Sequence, residues 1–266
     1  MSKQIIHFAH ANGFPAKTYN KLFSNLEDDF EIGYLERHAH NPKFPVTDGW
    51  ERLRDELREE LQKRYAQKII GVGHSLGGVL HLLVAVENPK IYKAIILLDA
   101  PVISRLSSAG IKVLKRMNLM EKFSPSQITR FRRAVWETKI EALEHFQRKE
   151  KFANFDAGVL RDYIEYGTTE TQSGVKLFFE PKIEAKIYRT IPHNLPKLRG
   201  KLSIPVAYIG GTHSREAKLA RISFMQKHFP FEFKFIEGSH LFPLENPKGT
   251  AETIKEITKK LLNKKG

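Results

Sequence analysis

Lys68-Ile69-Ile70-Gly71-Val72 runs straight into Gly73-His74-Ser75-Leu76-Gly77-Gly78, and residues 79–87 behind it are apolar with helical spacing. The first five residues read as a buried strand and the last stretch as a helix, so Ser75 stands on the turn between them. A strand that folds back into a helix within so few residues crowds its own backbone. Glycine at 73 and 77 relieves that crowding, and Gly78 lets the helix approach the sheet. The turn lifts the Ser75 hydroxyl above the carboxyl ends of the strands, where ligands bind in open α/β sheets. It also aims the Leu76 amide and the helix N-terminus at a developing negative charge. A plain glycine-rich turn is the blander reading.

Strand and helix signals alternate on both sides of this motif. Gln4–Ala9 is a short apolar run that ends in loop residues His10-Ala11-Asn12-Gly13-Phe14-Pro15. Residues 19–26 read as a helix, 30–35 as a strand, and 38–48, with Pro42 and Pro45, as loop. Trp50, Leu53, Leu57, Leu61 and Tyr65 recur at spacings of three and four, an amphipathic helix. Residues 91–98 form another strand. The pattern returns with a strand over 205–209, a helix over 216–228, a strand over 232–236 and a helix over 250–262. Alternation of this kind predicts an α/β fold, a mostly parallel sheet with helices on both faces.

From 104 to 196 the alternation fails. Stretches 128–135 and 139–146 read as helices, no strong strand is visible, and 197–201 resembles a linker back to the sheet. The expected organisation is a core of 1–103 and 197–266 interrupted by a helical cap over 104–196. Leu106, Leu114, Met117, Leu119, Met120, Phe123, Phe178 and Phe179 are candidate pocket liners from that cap, or members of its own core.

Gly73-His74-Ser75-Leu76-Gly77-Gly78 resembles the nucleophile elbow of α/β-hydrolase superfamily esterases and lipases. Two further blocks share the likeness. His10-Ala11-Asn12-Gly13 is similar to the superfamily's His-Gly loop, with Ala11 where glycine is usual; by position it assigns Asn12 the second oxyanion-hole amide beside that of Leu76. Gly238-Ser239-His240, followed by Glu245-Asn246-Pro247, resembles the C-terminal histidine loop and offers His240 as the base. The resemblance implies an α/β-hydrolase fold and acyl transfer through Ser75 without metal or organic cofactor. Serine at the elbow disfavours the branches that use aspartate there.

The third member of a triad stays open in the sequence. The loop where the superfamily usually carries an aspartate reads Gly210-Gly211-Thr212-His213-Ser214-Arg215-Glu216, with none. Asp99, at the end of strand 91–98, keeps the Ser…Asp…His order of the fold. Glu216 and an unassisted dyad are the alternatives, and a turn-capping aspartate is the bland reading of Asp99. Of the other histidines, His7 and His10 are expected near the pocket and His74 beneath the elbow. His38 and His40 lack the third ligand a metal pair would need.

Composition limits the function classes. The chain has 266 residues, 41% of them hydrophobic, enough for a full core. It has no cysteine, so disulfides and thiolate metal sites are excluded. No apolar run approaches a membrane span or a signal peptide, and the expectation is a soluble cytoplasmic protein whose last residues, 263–266, lack fixed structure. The net charge is +14, and 102–202 holds 20 Lys/Arg against 11 Asp/Glu. That charge keeps a non-catalytic nucleic-acid-binding protein as the competing class, although no basic tail or stacking motif supports it. The expected partner is a small acyl ester or thioester, with no nucleic acid; a thioesterase or carbon–carbon bond hydrolase is the nearer alternative.

Overall fold

The computed structural model describes residues 3–263. Met1, Ser2 and residues 264–266 of the expected loose tail lie outside them; Asn263 ends the last helix. The strands in chain order are β1 (Gln4–Ala9), β2 (Phe30–Tyr34), β3 (Ile69–His74) and β4 (Tyr92–Leu98). Then come β5 (Val135–Trp136), β6 (Thr168–Thr171), β7 (Gly174–Leu177), β8 (Val206–Gly211) and β9 (Glu232–Ile236). Six of them form one sheet in the order β2-β1-β3-β4-β8-β9, and every neighbouring pair is parallel.

The period of two along each strand builds two cores, one on each face. Ile6, Phe8, Ile70, Val72, Ile96, Leu98 and Ile209 point to one face, where the helix Pro247–Asn263 and the short helix Asn20–Ser24 cover them. Ile5, Ile69, Ile95, Leu97, Val206 and Tyr208 point to the other, beneath helices Glu51–Arg64 and Leu76–Glu87. Buried on both sides, β3 and β4 carry near-continuous apolar runs, as parallel central strands must.

The segment between β4 and β8 differs from the expectation of helices alone. It holds helices Arg105–Arg116, Lys139–Gln147, Ala157–Gly167 and Pro181–Arg189, but also a three-stranded antiparallel sheet, β5-β7-β6. The predicted helix over 128–135 is a short helix, Ser126–Arg130, that gives way to β5. The predicted helix over 216–228 is broken in two at Arg221, whose φ is +58°. Ser214 caps the first piece, its hydroxyl accepting the Ala217 amide.

Candidate active site

The elbow follows from local crowding. Ser75 has φ 52° and ψ −113°, a conformation costing a non-glycine residue about 1–3 kcal/mol. A Cβ on Gly73 would lie 2.4 Å from the Gly77 carbonyl carbon, and one on Gly77 would lie 2.0 Å from the Ala9 oxygen. Only hydrogen fits at either place. The Ser75 N–H donates to Leu98 O at 2.9 Å, which keeps the turn in the sheet ladder. Leu76 opens the helix, so its amide has no intrahelical acceptor.

Three residues from the loops after β3, β4 and β9 meet at the carboxyl ends of the strands. His240 Nδ1–H donates to Asp99 Oδ2 at 2.6 Å, and Ser75 Oγ–H donates to His240 Nε2 at 3.1 Å. The carboxylate can only accept from Nδ1, which leaves Nε2 the lone pair that faces the serine. Asp99 is fully buried and also sits at positive φ, 41°; its own N–H donates to Ile209 O at 2.8 Å. Oδ1 accepts the Tyr208 hydroxyl at 2.9 Å and the Gly211 amide at 3.3 Å, and Oδ2 accepts the Ser214 hydroxyl at 2.5 Å. Burial pushes the Asp99 carboxyl up, but the hydrogen bond and charge of His240, with the two hydroxyls, outweigh it and hold the group below its ordinary value. Glu216 reaches within only 3.9 Å of His240 Nδ1 and is half exposed. The loop after β8, where an acid was sought, supplies Ser214 as a donor to Asp99 instead.

The histidine loop is closed by its own glutamate. Glu245 accepts the Ser239 amide at 2.9 Å and the Ser239 hydroxyl at 2.5 Å, and that hydroxyl in turn accepts the Leu241 amide. His74 holds the loop from below: its Nε2–H donates to the His240 carbonyl at 2.9 Å. Nδ1 of His74 then accepts the Tyr19 hydroxyl at 2.7 Å, and Tyr19 accepts the Ala11 amide at 3.4 Å. Burial first, and the neighbouring His240 second, lower the His74 pKa to about 3, so the ring stays neutral and in one tautomer. Sequence reasoning placed His74 beneath the elbow but gave no signal that it tied the first loop to the last.

On the first loop, His10 Nε2 accepts the His38 amide at 2.9 Å and Nδ1–H donates to Ala11 O at 2.8 Å. The Asn12 amide group donates to Glu184 O at 3.1 Å. Gly13 has φ +83°, and a Cβ there would lie 2.7 Å from the Glu184 carboxyl carbon. Burial raises the Glu184 pKa, although Arg132, 2.5 Å away, and Lys151 pull it back.

Several expectations are corrected. His7 lies on the face of β1 covered by helix Leu76–Glu87, edge-on to Tyr65 and His81, because alternation along the strand turns its side chain under that helix. Leu106, on helix Arg105–Arg116, Met117 at its C-cap and Phe123, at the end of helix Met120–Phe123, are exposed. Phe179 is core, packed edge-on to His10 and His40, and Met120 is buried. Leu114, Leu119 and Phe178 are half-buried, the last under the Arg37 guanidinium. Both His40 nitrogens are engaged, one with His38 O and one with the Glu180 amide. The one three-residue set among the described residues whose ligand atoms lie within 4.8 Å is Asp99, Glu216 and His240, two of which are already bonded in the serine relay.

Residues 8–253 match the model of the alpha/beta hydrolase family. The chain belongs to that family. Family membership agrees with the parallel sheet and with a serine on a strained strand-to-helix turn. Similar solved structures include E-2-(acetamidomethylene)succinate hydrolase, 17% identical with a TM-score of 0.76 over 96% of this chain and 91% of that one. The peroxisomal alpha-beta-hydrolase Lpx1 of Saccharomyces cerevisiae is also 17% identical, with a TM-score of 0.74 over 98% and 78%. A thioesterase domain of the curacin biosynthetic pathway is 13% identical, with a TM-score of 0.68 over 96% and 91%. At these identities the likeness is one of fold. No curated protein sequence matches the chain. As a family member the chain is a hydrolase, and a small-molecule substrate follows from that. No helix among the described residues is long and apolar enough to cross a membrane.

Proposed function

We propose that this hydrolase cleaves small acyl esters or thioesters through an acyl-enzyme on Ser75. The observation that carries the reading is the Ser75 Oγ–His240 Nε2 hydrogen bond at 3.1 Å, backed by the 2.6 Å bond from Nδ1 to Asp99. Ser75 Oγ attacks the carbonyl carbon while His240 Nε2 takes its proton. The Asn12 and Leu76 amides face the oxyanion, each such donor contributing about 3 kcal/mol. The tetrahedral adduct then expels the alcohol or thiol, which takes the proton from His240. Water, activated by the same nitrogen, releases the acid and restores Ser75. Asp99 keeps the tautomer and stabilises the imidazolium.

Residues 104–196 act in this reading as the cap and 1–103 with 197–266 as the core. The Asn12–Glu184 bond and the packing of Phe14 on Phe152, Phe155 and Tyr163 support a cap seated on the oxyanion loop. The absence of cysteine fits a cytoplasmic site of action.

Incubation with a fluorophosphonate followed by intact-mass measurement tests the proposal. The wild type is expected to gain one adduct that Ser75→Ala lacks, and to turn over an ester and thioester panel. A folded wild type that gains no adduct and cleaves no acyl substrate would sink it.

A further inference from the structure

Eight of the eleven exposed large hydrophobic side chains among the described residues lie between Leu106 and Ile140. That concentrates exposed apolar side chains in one stretch of the chain, with only three others exposed among the described residues, and exposed apolar patches mark interaction sites. Helix Arg105–Arg116 shows its organisation. Leu106, Val113 and Met117 are 64%, 55% and 59% exposed. At about 100° per residue they fall within one narrow stripe, with Ala109 and Gly110 between them. The stripe therefore faces water, and no residue of this helix is buried.

The charges are as one-sided as the apolar groups. Residues 105–133 contain eight Lys/Arg and a single acid, Glu121. Arg105, Lys112 and Arg116 share one flank of the stripe, about 100° round the axis. None of the three, nor Lys122, has a carboxylate within 4.0 Å among the described residues, whereas Lys115, on the opposite side, pairs with Asp48. Beyond the helix Phe123 is exposed beside Lys122, and Ile128 and Phe131 are exposed near Arg130, which pairs with Glu121 at 3.4 Å.

We infer that helix Arg105–Arg116 and the segment through 131 dock on a membrane surface that carries anionic headgroups. An exposed apolar stripe with a basic flank is the pattern that lies in the interface plane, apolar side down and cations among the lipid phosphates. A second copy of this chain fits less well, because an isologous contact through the stripe would bring the two basic flanks together. Nucleic acid would neutralise the bases but leave Leu106, Val113 and Met117 in water. Docking of this kind is peripheral and needs no spanning helix.

Co-sedimentation of the full chain with lipid vesicles decides the matter. Binding to vesicles of mixed phosphatidylcholine and phosphatidylglycerol should exceed binding to phosphatidylcholine alone by roughly a hundredfold, the gain expected of three basic residues at the surface. Added salt should weaken it. Val113→Asp and Arg116→Glu, each checked for unchanged circular dichroism and melting, should each lower anionic-vesicle binding roughly tenfold or more. Equal binding to neutral and anionic vesicles, or binding that ignores both variants, would overturn the inference. So would a concentration-dependent dimer that Val113→Asp dissociates, or nucleic-acid binding with no vesicle binding. Should Val113→Asp fail to fold, Arg116→Glu carries the test alone.

Discussion

The sheet half and the segment between β4 and β8 are built by opposite rules. In the sheet half, β3 is buried along its whole length and the side chains of the proposed relay follow three of its strands: Ser75 after β3, Asp99 after β4, His240 after β9. Ser75 and Asp99 are tied to the next strand by backbone bonds, to Leu98 and Ile209, and the His240 carbonyl is held by His74. In the segment 104–196 the first helix fully buries no residue, and apolar side chains as large as Phe131 stand in water. The strand ends are fixed by backbone bonds, whereas the outer side of 105–131 leaves apolar side chains in water. The proposed chemistry sits on the first and the proposed membrane contact on the second.

The largest effect that sharpens this contrast is at Asp99. On the proposed mechanism Asp99→Asn, which holds the wrong His240 tautomer, lowers kcat by about 10⁴-fold. Glu216→Gln, which removes only an exposed charge 3.9 Å from the same nitrogen, changes kcat less than about threefold. Steady-state kinetics on folded variants separates the two, and equal losses would contradict the assignment. Next comes backbone crowding. Gly77→Ala places a methyl 2.0 Å from the Ala9 oxygen and should cost at least about 3 kcal/mol in urea unfolding.

Acid is the third test. Burial is the main cause that lowers the pKa values of His7, His10, His74 and His81, the last two to about 3. Unfolded imidazoles take protons near pH 6.5 while these folded ones do not, so the unfolded state binds more protons below that value. Stability is then intact above about pH 7 and drains as pH falls from there towards 3. Between pH 7 and 5, His74 and His81 should each remove about 2 kcal/mol. Urea midpoints across that range measure it, and a flat profile would contradict the neutral-histidine core. The smallest effect is in the other region: Ile128→Ser, at 82% exposure, should alter stability by no more than about 0.5 kcal/mol.

The same contrast governed what could be read from the sequence. Strands as short apolar runs, the Gly73 and Gly77 spacing and the Gly-Ser-His block were legible because each is a local feature of the chain. Asp99 was visible as a strand-end carboxylate, but its preference over Glu216 was not. That preference comes from Tyr208, Gly211 and Ser214, more than a hundred residues away. The strands β5, β6 and β7 were missed because they are two to four residues long, and Thr168-Thr169-Glu170-Thr171 carries no apolar alternation. The break at Arg221 was missed because nothing in the local chemistry demands a positive φ there.

With Asp99 at the end of β4, the serine and the carboxylate lie 24 positions apart on one uninterrupted stretch, and His240 alone arrives from beyond the long excursion. A gene split anywhere within 104–196 therefore leaves one product with two of the three groups and the other with the imidazole. On the proposed mechanism neither product alone forms the relay, so ester cleavage recovered on mixing would report reassembled molecules.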